Sequence, residues 1–372
     1  MSKKNILQVL LLFISFSGFA GDPDTNYVQK FKNIFAIKTF LSDHTFMYTI
    51  TPRNNDAFTS EQLKDARVLY TPYIPPTLGI SLNIKGIGLA YAFKLKNDFG
   101  DTTGHATSQY QQFSMNIYKN TFGLEMYYQD YRRFYFHYLG DQNLYRSYNS
   151  DIRAYQWGAN GIILFNGRRF SYNAAFNQTE LQKKTAHSLL LMMSLKFNEI
   201  KSDSLIPSAI RKYFVDYSHI DRNRNYAFLL HMGYALNLTK KSFYFSTAVF
   251  GGVGVQLQTY TFVNGLSTRV KTAFPLSARA KASIGYNGKV FFSGVYANYD
   301  IMQTSIKPMM TQQILYTYGV YVGLRAIQYS KTKGQLRAEE KRKRLAEKEA
   351  IKKEKEAKKK QAEAAKKAKK KK

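Results

Sequence analysis

One long run of alternating residues, Leu276 to Asp300, limits what this chain can fold into more than any other feature. In its first half, apolar side chains occupy every second position up to Ile284. The positions between them hold polar residues: Ser277, Arg279, Lys281 and Ser283. A period of two predicts a strand with one apolar and one polar face. Asn287-Gly288 then favours a type I′ turn, so we predict a β-hairpin.

Each arm of this hairpin is about ten residues long, which exceeds the usual strand and approaches the length that crosses a bilayer at a tilt. Similar two-faced runs recur from Leu78 to Ile327. Tyr (29) and Phe (27) are abundant and Pro (8) is scarce, which favours strands over disordered chain. A secreted β-sandwich also alternates, but its strands are shorter. We therefore predict an all-β fold, a transmembrane antiparallel up-and-down β-barrel.

The predicted strands follow in pairs, and the clear signals give about twelve. One pair joins Trp157–Phe165 to Phe170–Asn177 through a turn at Asn166-Gly167. Outer-membrane barrels have an even strand number, with short turns at one side and long loops at the other. To keep the short turns on one side and the long loops on the other, the chain needs a further strand, and Arg211–Ile220 is the candidate. Counting Val68–Tyr73 as well gives about fourteen strands. The expected number is therefore twelve to fourteen.

The ends of the chain differ from its body. Residues 1–20 have two lysines, a short apolar run and Gly18-Phe19-Ala20, which predicts a signal peptide cleaved after Ala20. Residues 21–77 are expected to be a lead-in with edge strands or a plug, because their prolines forbid ladder bonds. The barrel is expected over 78–329 and a basic tail over 330–372. The chain has no Cys, which excludes disulfides and thiolate zinc sites.

The net charge of +30 is unevenly spread, because Lys331–Lys372 holds 20 basic and 7 acidic residues. Glu and Lys or Arg recur in this tail at i,i+4, which predicts a solvated helix that buries no core. An even-stranded barrel places the tail in the periplasm, where it either tethers the barrel to peptidoglycan or an acidic protein, or remains inert. Behind a signal peptide we expect no nucleic-acid partner. Anionic lipopolysaccharide and small anionic solutes are the expected partners of the body.

Basic residues on the polar face of strands are the candidate lumen residues: Lys94, Arg279, Lys281 and Arg325. In a water-filled lumen they would attract and select anions, and exchanging Arg279 and Lys281 for Glu would invert the selectivity. Alternatively, they pair across the lumen with acids such as Glu125 and fill it. Absence of conductance would then indicate a plugged binding barrel or a structural barrel.

Loop cations form a second candidate set: Arg132, Arg133, Arg211 and Lys212. On an outer surface they could bind lipopolysaccharide phosphates, although exposed cations are ordinary on any loop. Aromatic residues cluster near strand ends, which is typical of the interfacial girdle of a barrel.

Catalytic signals are weak. The six histidines lack the spacing of metal ligands. Asp216 with His219, or His187 with Ser188, could form an acid/base or nucleophile pair, but such pairs arise by chance in most chains. We therefore expect no enzyme activity, metal or cofactor. The alternative, an outer-membrane hydrolase, would need a nucleophile and a base converging at one rim of the barrel.

The run Leu164–Lys184, LFNGRRFSYNAAFNQTELQKK, resembles a motif of an uncharacterised outer-membrane β-barrel family of Bacteroidetes. Leu78–Leu95 and Gly233–Gly254 are similar to it in the same order, and the resemblance extends over roughly residues 30 to 327. His187 departs from the family pattern, in which a small residue is usual. The resemblance implies the fold and the location only, since no activity is assigned to that family.

Overall fold

The computed structural model describes residues 23–31, 34–53, 55–84, 86–95, 108–138, 147–263 and 267–327. The predicted signal peptide and the basic tail lie outside these residues. The chain divides into two units, residues 1–327 and 328–372, and all of the described residues belong to the first.

The described residues are mostly strand, with one short α-helix α1 (Ser60–Asp65), one π-helical turn (Asn173–Asn177) and one 3-10 helix (Ser208–Tyr217). The strands are β1 (Val28–Lys30), β2 (Ile34–Pro52), β3 (Val68–Thr71), β4 (Thr77–Ile84), β5 (Ile87–Lys94), β6 (Gln109–Tyr118), β7 (Phe122–Tyr138), β8 (Ser147–Leu164), β9 (Glu180–Gln182), β10 (Ala186–Lys201), β11 (Ile220–Lys240), β12 (Phe243–Phe262), β13 (Thr268–Ala273), β14 (Leu276–Asn287), β15 (Phe291–Ile306) and β16 (Met309–Ile327). No helix among the described residues is long and apolar enough to cross a membrane.

A closed antiparallel ring is the main feature of the fold. Within the described part of the chain it contains the strands β2, β4, β5, β6, β7, β8, β10, β11, β12, β14, β15 and β16. The ring closes because β16 pairs along its whole length with β2, from Met309 opposite Pro52 to Ile327 opposite Ile34. Two short strands extend the sheet, β3 between β2 and β7 and β13 beside β12. The predicted barrel is thus confirmed, and the ring has the lower of the expected strand numbers.

The two ends of the ring differ in their connections. We call one the turn end, because four short connections join strands there, residues 85–86, 119–121, 241–242 and 288–290; one long connection, residues 165–185, lies at the same end. We call the other the loop end, where most connections are long; the exception is the two-residue turn between β15 and β16. The first ring strand, β2, begins at the turn end and the last, β16, ends there. The barrel therefore begins at Ile34, within the segment expected to be a lead-in.

Two predicted strands are wrong. Phe170–Asn177 contains the π-helical turn, and Arg211–Ile220 contains most of the 3-10 helix. The Asn-Gly turn ends β8 without starting a hairpin, because Gly167 lies against the neighbouring turn: an added Cβ would come within 1.8 Å of the carbonyl oxygen of Asn120. Removing Phe170–Asn177 from the predicted twelve leaves eleven, and β2, from the segment expected to be a lead-in, restores the even number. The predicted strand at Val68–Tyr73 exists as β3 but is too short to span a bilayer.

The hairpin of β14 and β15 has the predicted strands but a different turn. Asn287 remains in β14, and Gly288 donates a backbone hydrogen bond to Phe291 at 3.0 Å across a three-residue turn. Positive φ occurs at Gly86 among the described glycines, so the predicted type I′ turn at Asn287-Gly288 is wrong. The structural reason is that the Asn287 side chain points inward, where it accepts a hydrogen bond from Arg325.

The alternation of side chains follows the prediction along the ring strands. On β14, Leu276 and Ile284 are 60% and 53% exposed on the outer face, whereas Ser277 and Ser283 are buried inside. Apolar side chains cover the outer face of the other strands in the same way, for example Leu230 and Met232 on β11. An apolar outer band with a polar interior is the arrangement that a lipid environment requires of a barrel.

Candidate functional site: a polar chamber inside the barrel

The loop end of the barrel is filled by an apolar core. Side chains from β2, β3, β7, β8 and β12 meet the 3-10 helix and its flanking loop there, and the largest fully buried members are Tyr70, Tyr131, Tyr260, Phe134 and Phe214. The Tyr70 hydroxyl donates a hydrogen bond to the carbonyl oxygen of Leu205 and so links β3 to the loop before the helix. Tyr48 accepts a hydrogen bond of 2.7 Å from Asn223 across the barrel. This core, which we call the cap, occupies the lumen at the loop end.

The turn end is filled by a single segment that we call the plug, residues 166–184, which combines buried apolar side chains such as Phe170 and Tyr172 with hydrogen-bonded amides. Its π-helical turn ends at Gln178, which has a left-handed φ of 53°. The plug is bound to the wall by amide side chains: Asn173 donates to the carbonyl oxygen of Tyr118 at 3.2 Å, and Asn177 donates to Asn116 at 3.0 Å. β9, within the plug, pairs with β1, so the N-terminal segment lies against the plug.

Arg325 fixes the plug from the opposite wall. Its guanidinium donates hydrogen bonds to the carbonyl oxygens of Gln178 and Gly288 and to the Asn287 side chain. The same group lies 4.5 Å from the ring centroid of Phe292, a cation–π contact. Arg325 is 2% exposed, and all of these oxygens are neutral. The predicted lumen residue Arg325 therefore binds protein backbone at the turn end.

Between the cap and the plug lies a cavity of about 310 Å³, which we call the chamber. Its boundary toward the cap is a row of hydrogen-bonded amides, Gln112, Gln129, Gln156 and Gln313. His44 continues this boundary, with its Nε2 2.6 Å from the Tyr131 hydroxyl and its Nδ1 2.6 Å from Thr317 Oγ1. A cavity of this size is at the lower limit of sites that hold small ligands.

Five charged side chains from four strands meet on the chamber wall beside the plug. They are Glu125, Lys196, Arg279, Lys281 and Asp300, each between 10% and 17% exposed. Arg279 joins both acids, with Nε 3.0 Å from Asp300 and a terminal nitrogen 3.5 Å from Glu125. Lys281 binds Glu125, and Lys196 binds Asp300 at 2.8 Å. We call this group the charged cluster. Its three cations exceed its two carboxylates by one.

The charged cluster is coupled to the plug. The hydroxyl of Tyr172, in the plug, lies 3.5 Å from Glu125, and the Lys281 ammonium lies 5.5 Å from the centroid of the Tyr172 ring. Tyr118 donates to Glu125 at 2.6 Å from the neighbouring strand. Because partly buried charges lose hydration, each needs such partners, and displacing the plug would remove some of them.

One more cation faces the chamber from the other wall. Lys38 on β2 lines the cavity, and its ammonium lies 5.3 Å from the centroid of the Tyr321 ring. Among the described residues, the ion pairs include no acid bound to Lys38. The chamber therefore has four cationic side chains and two carboxylates on its described wall, a net excess of positive charge.

The other predicted cations lie outside the chamber. Lys94 is the last residue of β5, away from the charged cluster. Arg132 forms an ion pair of 3.0 Å with Asp130, and Arg133 occupies a bulge in β7 with φ of 68°. Arg211 donates to the Ser204 hydroxyl at 3.0 Å, and Lys212 lies 5.1 Å from the centroid of the Tyr213 ring. The four loop cations belong to the loop end but do not converge on one point of it.

The residues of the two candidate catalytic pairs do not meet. His187 faces outward, stacked on Tyr234 at 5.6 Å, whereas Ser188 is buried and accepts a backbone hydrogen bond from Asn166. Asp216 accepts from Arg269 at 3.3 Å. Within the described ranges, no three His, Asp or Glu side chains lie close enough together to hold a metal ion.

Sequence reasoning found Arg279, Lys281 and Glu125 but missed Lys196, Asp300 and Lys38 as members of the same site. A usable signal existed: Lys196 and Asp300 each sit at an inward position of an otherwise alternating strand, as Arg279 does. The plug was missed because the run FSYNAAF has the aromatic content of a strand.

Fold and site together define a transmembrane β-barrel whose lumen is occupied by the cap at one end and the plug at the other and contains a charged polar chamber between them. The chain belongs to the family described as a domain of unknown function, DUF4421, whose sequence profile matches residues 22–325. This family is uncharacterised, as the resemblance implied. No curated protein sequence matches the chain.

Solved structures with a similar arrangement of strands are outer-membrane proteins. The outer membrane protease OmpT from Escherichia coli is 7% identical over 79% of this chain and 97% of its own, with a TM-score of 0.37. The beta domain of the Bordetella autotransporter BrkA is 12% identical over 77% of this chain and 99% of its own, with a TM-score of 0.32. The attachment invasion locus protein Ail of Yersinia pestis is 10% identical over 54% of this chain and 96% of its own, with a TM-score of 0.23.

Proposed function

We propose that this protein is exported, loses residues 1–20, and resides in the outer membrane of a bacterium of the Bacteroidetes. The twelve-stranded ring supports the membrane location, since its outer face is apolar and its strands have no free edge. Short turns lie on the periplasmic side of outer-membrane barrels. The turn end accordingly faces the periplasm, and so does the basic tail that follows β16 in the sequence.

Within that location, the proposed function is the binding of a small anionic solute in the chamber. The observation that carries the proposal is the excess of cations on the chamber wall, with Lys38 facing the cavity opposite the charged cluster. Hydrogen bonds from cationic groups to an anion are stronger than those between neutral partners. Ser42, Gln112 and Ser114 also line the cavity and offer neutral hydrogen-bond partners.

Binding is better supported than steady passage. The cap and the plug occupy the lumen on both sides of the chamber, and the predicted pairing of Arg279 and Lys281 with Glu125 exists. We expect purified protein in planar bilayers to show no steady conductance. An open anion-selective conductance that is inverted by Arg279→Glu with Lys281→Glu would replace the binding proposal with a channel.

Calorimetry with glucose 6-phosphate and glucose as probes tests the proposal. They share a sugar that the chamber could accommodate and differ in the phosphate, so the protein in detergent should bind glucose 6-phosphate more tightly. Lys38→Gln should weaken that binding about tenfold, equivalent to about 1.4 kcal/mol. Lys240→Gln, an exposed lysine at the turn end, is the matched control and should leave the affinity unchanged.

Equal affinity for both probes, or an equal effect of the two substitutions, would contradict anion binding in the chamber. Absence of binding of inorganic phosphate, glucose 6-phosphate and citrate alike would favour the alternative, a structural barrel that anchors its tail.

A further inference from the structure

The turn end carries an unusual concentration of basic side chains. Nine of them, in the turns, the plug and the N-terminal segment, are exposed: Lys30, Lys119, Arg168, Arg169, Lys183, Lys184, Lys240, Lys241 and Lys289. The acidic residues described in the same region are Asp24 and Glu180. Glu180 is partly buried, and its carboxylate accepts a hydrogen bond of 2.5 Å from Ser171 within the plug. The exposed surface of this end is therefore strongly positive.

Direct contacts show that these cations form one continuous surface, which we call the basic face. Arg169 and Lys184 both lie over the ring of Tyr27, at 5.1 and 5.5 Å from its centroid. Lys183 donates to the carbonyl oxygen of Thr25 at 2.9 Å. Three basic residues of the plug thus surround the N-terminal segment.

The periphery of the basic face is connected to these plug cations. Thr239 donates its backbone N–H to Thr185 at 3.2 Å, which joins the turn carrying Lys240 to the end of the plug. Asn287 donates to the carbonyl oxygen of Ser242 at 2.7 Å, which joins that turn to the one carrying Lys289. The basic face therefore extends from the plug to the rim.

We propose that the basic face is a docking surface for a periplasmic polyanion, the carboxylate-bearing peptidoglycan network. This inference rests on the proposed orientation of the turn end and is independent of the chamber. The like charges repel one another, and the described ion pairs neutralise none of the nine cations. An extended polyanion that lies across the barrel end neutralises the cations of the plug and of the rim together.

The position of the cations distinguishes this partner from membrane lipid. Lys240 and Lys289 lie near the exposed aromatic residues Phe243 and Phe291 at the edge of the apolar band, where lipid phosphates could reach them. The cations around Tyr27 belong to the plug, which contacts the wall at β6, β14 and β16 and is therefore separated from lipid by the ring of strands. A lipid headgroup therefore satisfies the rim alone, whereas a polymer network satisfies both.

Sedimentation with purified peptidoglycan tests the proposal on the full chain in detergent. A variant with Lys119, Arg168, Lys240 and Lys289 changed to Gln removes four cations whose side chains have no hydrogen bond or ion pair among those described. The matched control changes Lys64, Lys212, Lys271 and Lys307 to Gln, four exposed lysines at the loop end. The NaCl concentration that releases half of the protein should fall at least twofold for the first variant and remain unchanged for the control.

If the same NaCl concentration released half of each variant from peptidoglycan, the proposal would be overturned, because the tail alone would then account for any binding. The proposal would also be overturned if the first variant lost binding to vesicles containing phosphatidylglycerol while its peptidoglycan binding stayed unchanged. That result would assign the basic face to lipid. Heat-dependent gel mobility shows that each variant is folded. Neither outcome depends on glucose 6-phosphate binding, so this proposal and the chamber proposal fail separately.

Discussion

The two ends of the barrel are closed by segments of different origin. At the loop end, the cap buries tyrosine, phenylalanine and isoleucine side chains from strands and loops that lie far apart in the sequence. At the turn end, the plug is a single segment that buries Phe170, Tyr172 and Ala175 against the wall and is held in addition by side-chain amides and by Arg325. Apolar burial contributes at both ends, so the closures differ in that the cap draws on distant segments and the plug on one continuous segment.

This difference teaches which end can open. The plug can leave the lumen as one segment, at the cost of its apolar burial and its hydrogen bonds, whereas the cap opens only if segments far apart in the sequence separate together. The charged cluster lies directly beside the plug, so opening at the turn end would expose the chamber and its cations first. We infer that solute exchange with the chamber proceeds through the plug.

The largest expected effect is at the cap. Phe134 is 0% exposed and packs edge-on against Phe46 at 5.9 Å. Phe134→Ala should lower the free energy of unfolding by about 3–5 kcal/mol, because it leaves a cavity. Urea titration of protein folded in lipid vesicles measures this loss. Phe134→Leu should lose less than half as much free energy of unfolding as Phe134→Ala. A loss of less than about 1 kcal/mol for Phe134→Ala would show that the cap is loosely packed.

The next effect is local and distinguishes the ends. Arg325→Lys loses the planar guanidinium and leaves buried carbonyl oxygens unpaired, which should weaken the plug by about 1–3 kcal/mol. Hydrogen exchange of residues 166–184 should accelerate while β8 remains protected. The matched change at the loop end is Arg224→Lys, where the arginine pairs with Glu199 but is 42% exposed, so the cost there should be about 0–1 kcal/mol. Equal acceleration of hydrogen exchange in residues 166–184 and in β8 would mean that the ring itself had opened.

The smallest effect is a pH dependence of the plug. Burial raises the pKa of the Glu180 carboxyl above 4.5, with partial opposition from the hydrogen bond of Ser171. The folded plug therefore binds the proton more tightly than the unfolded chain, and this stabilisation is present below pH 4.5 and is lost as the pH rises through the folded pKa. Protease resistance of the plug should therefore fall as the pH rises from 4.5 to neutrality.

Glu180→Gln should remove this pH dependence and keep the plug resistant at neutral pH. Glu61→Gln, an exposed acid in α1, is the control and should leave the dependence as it is in the unchanged protein. A profile that is unaltered by Glu180→Gln would assign the dependence to another group.

Local periodicity was enough to determine the fold class. Alternation on β14, with Arg279 and Lys281 on the inward side, follows from the two-residue repeat of an extended chain, which needs no tertiary information. The same alternation placed Arg279 and Lys281 inside the barrel, where pairing with Glu125 was one of the two predicted arrangements. The strand number was less certain, because aromatic content at Phe170–Asn177 and Arg211–Ile220 is the same in a strand and in a buried turn.

Tertiary structure decided what lies inside the barrel. The plug and the cap each bring together residues that are separate in the sequence. Lys196 meets Asp300, which lies more than a hundred positions away, and no local pattern encodes such a distance. Arg325 occupies an inward position of its strand, as Arg279 does. Arg325 nevertheless binds backbone carbonyls, whereas Arg279 binds two carboxylates. The sequence by itself determined which face each side chain takes, because that depends on backbone geometry. The closed ring determined its partner, because partners across a lumen depend on strand register and on the segment that fills the space.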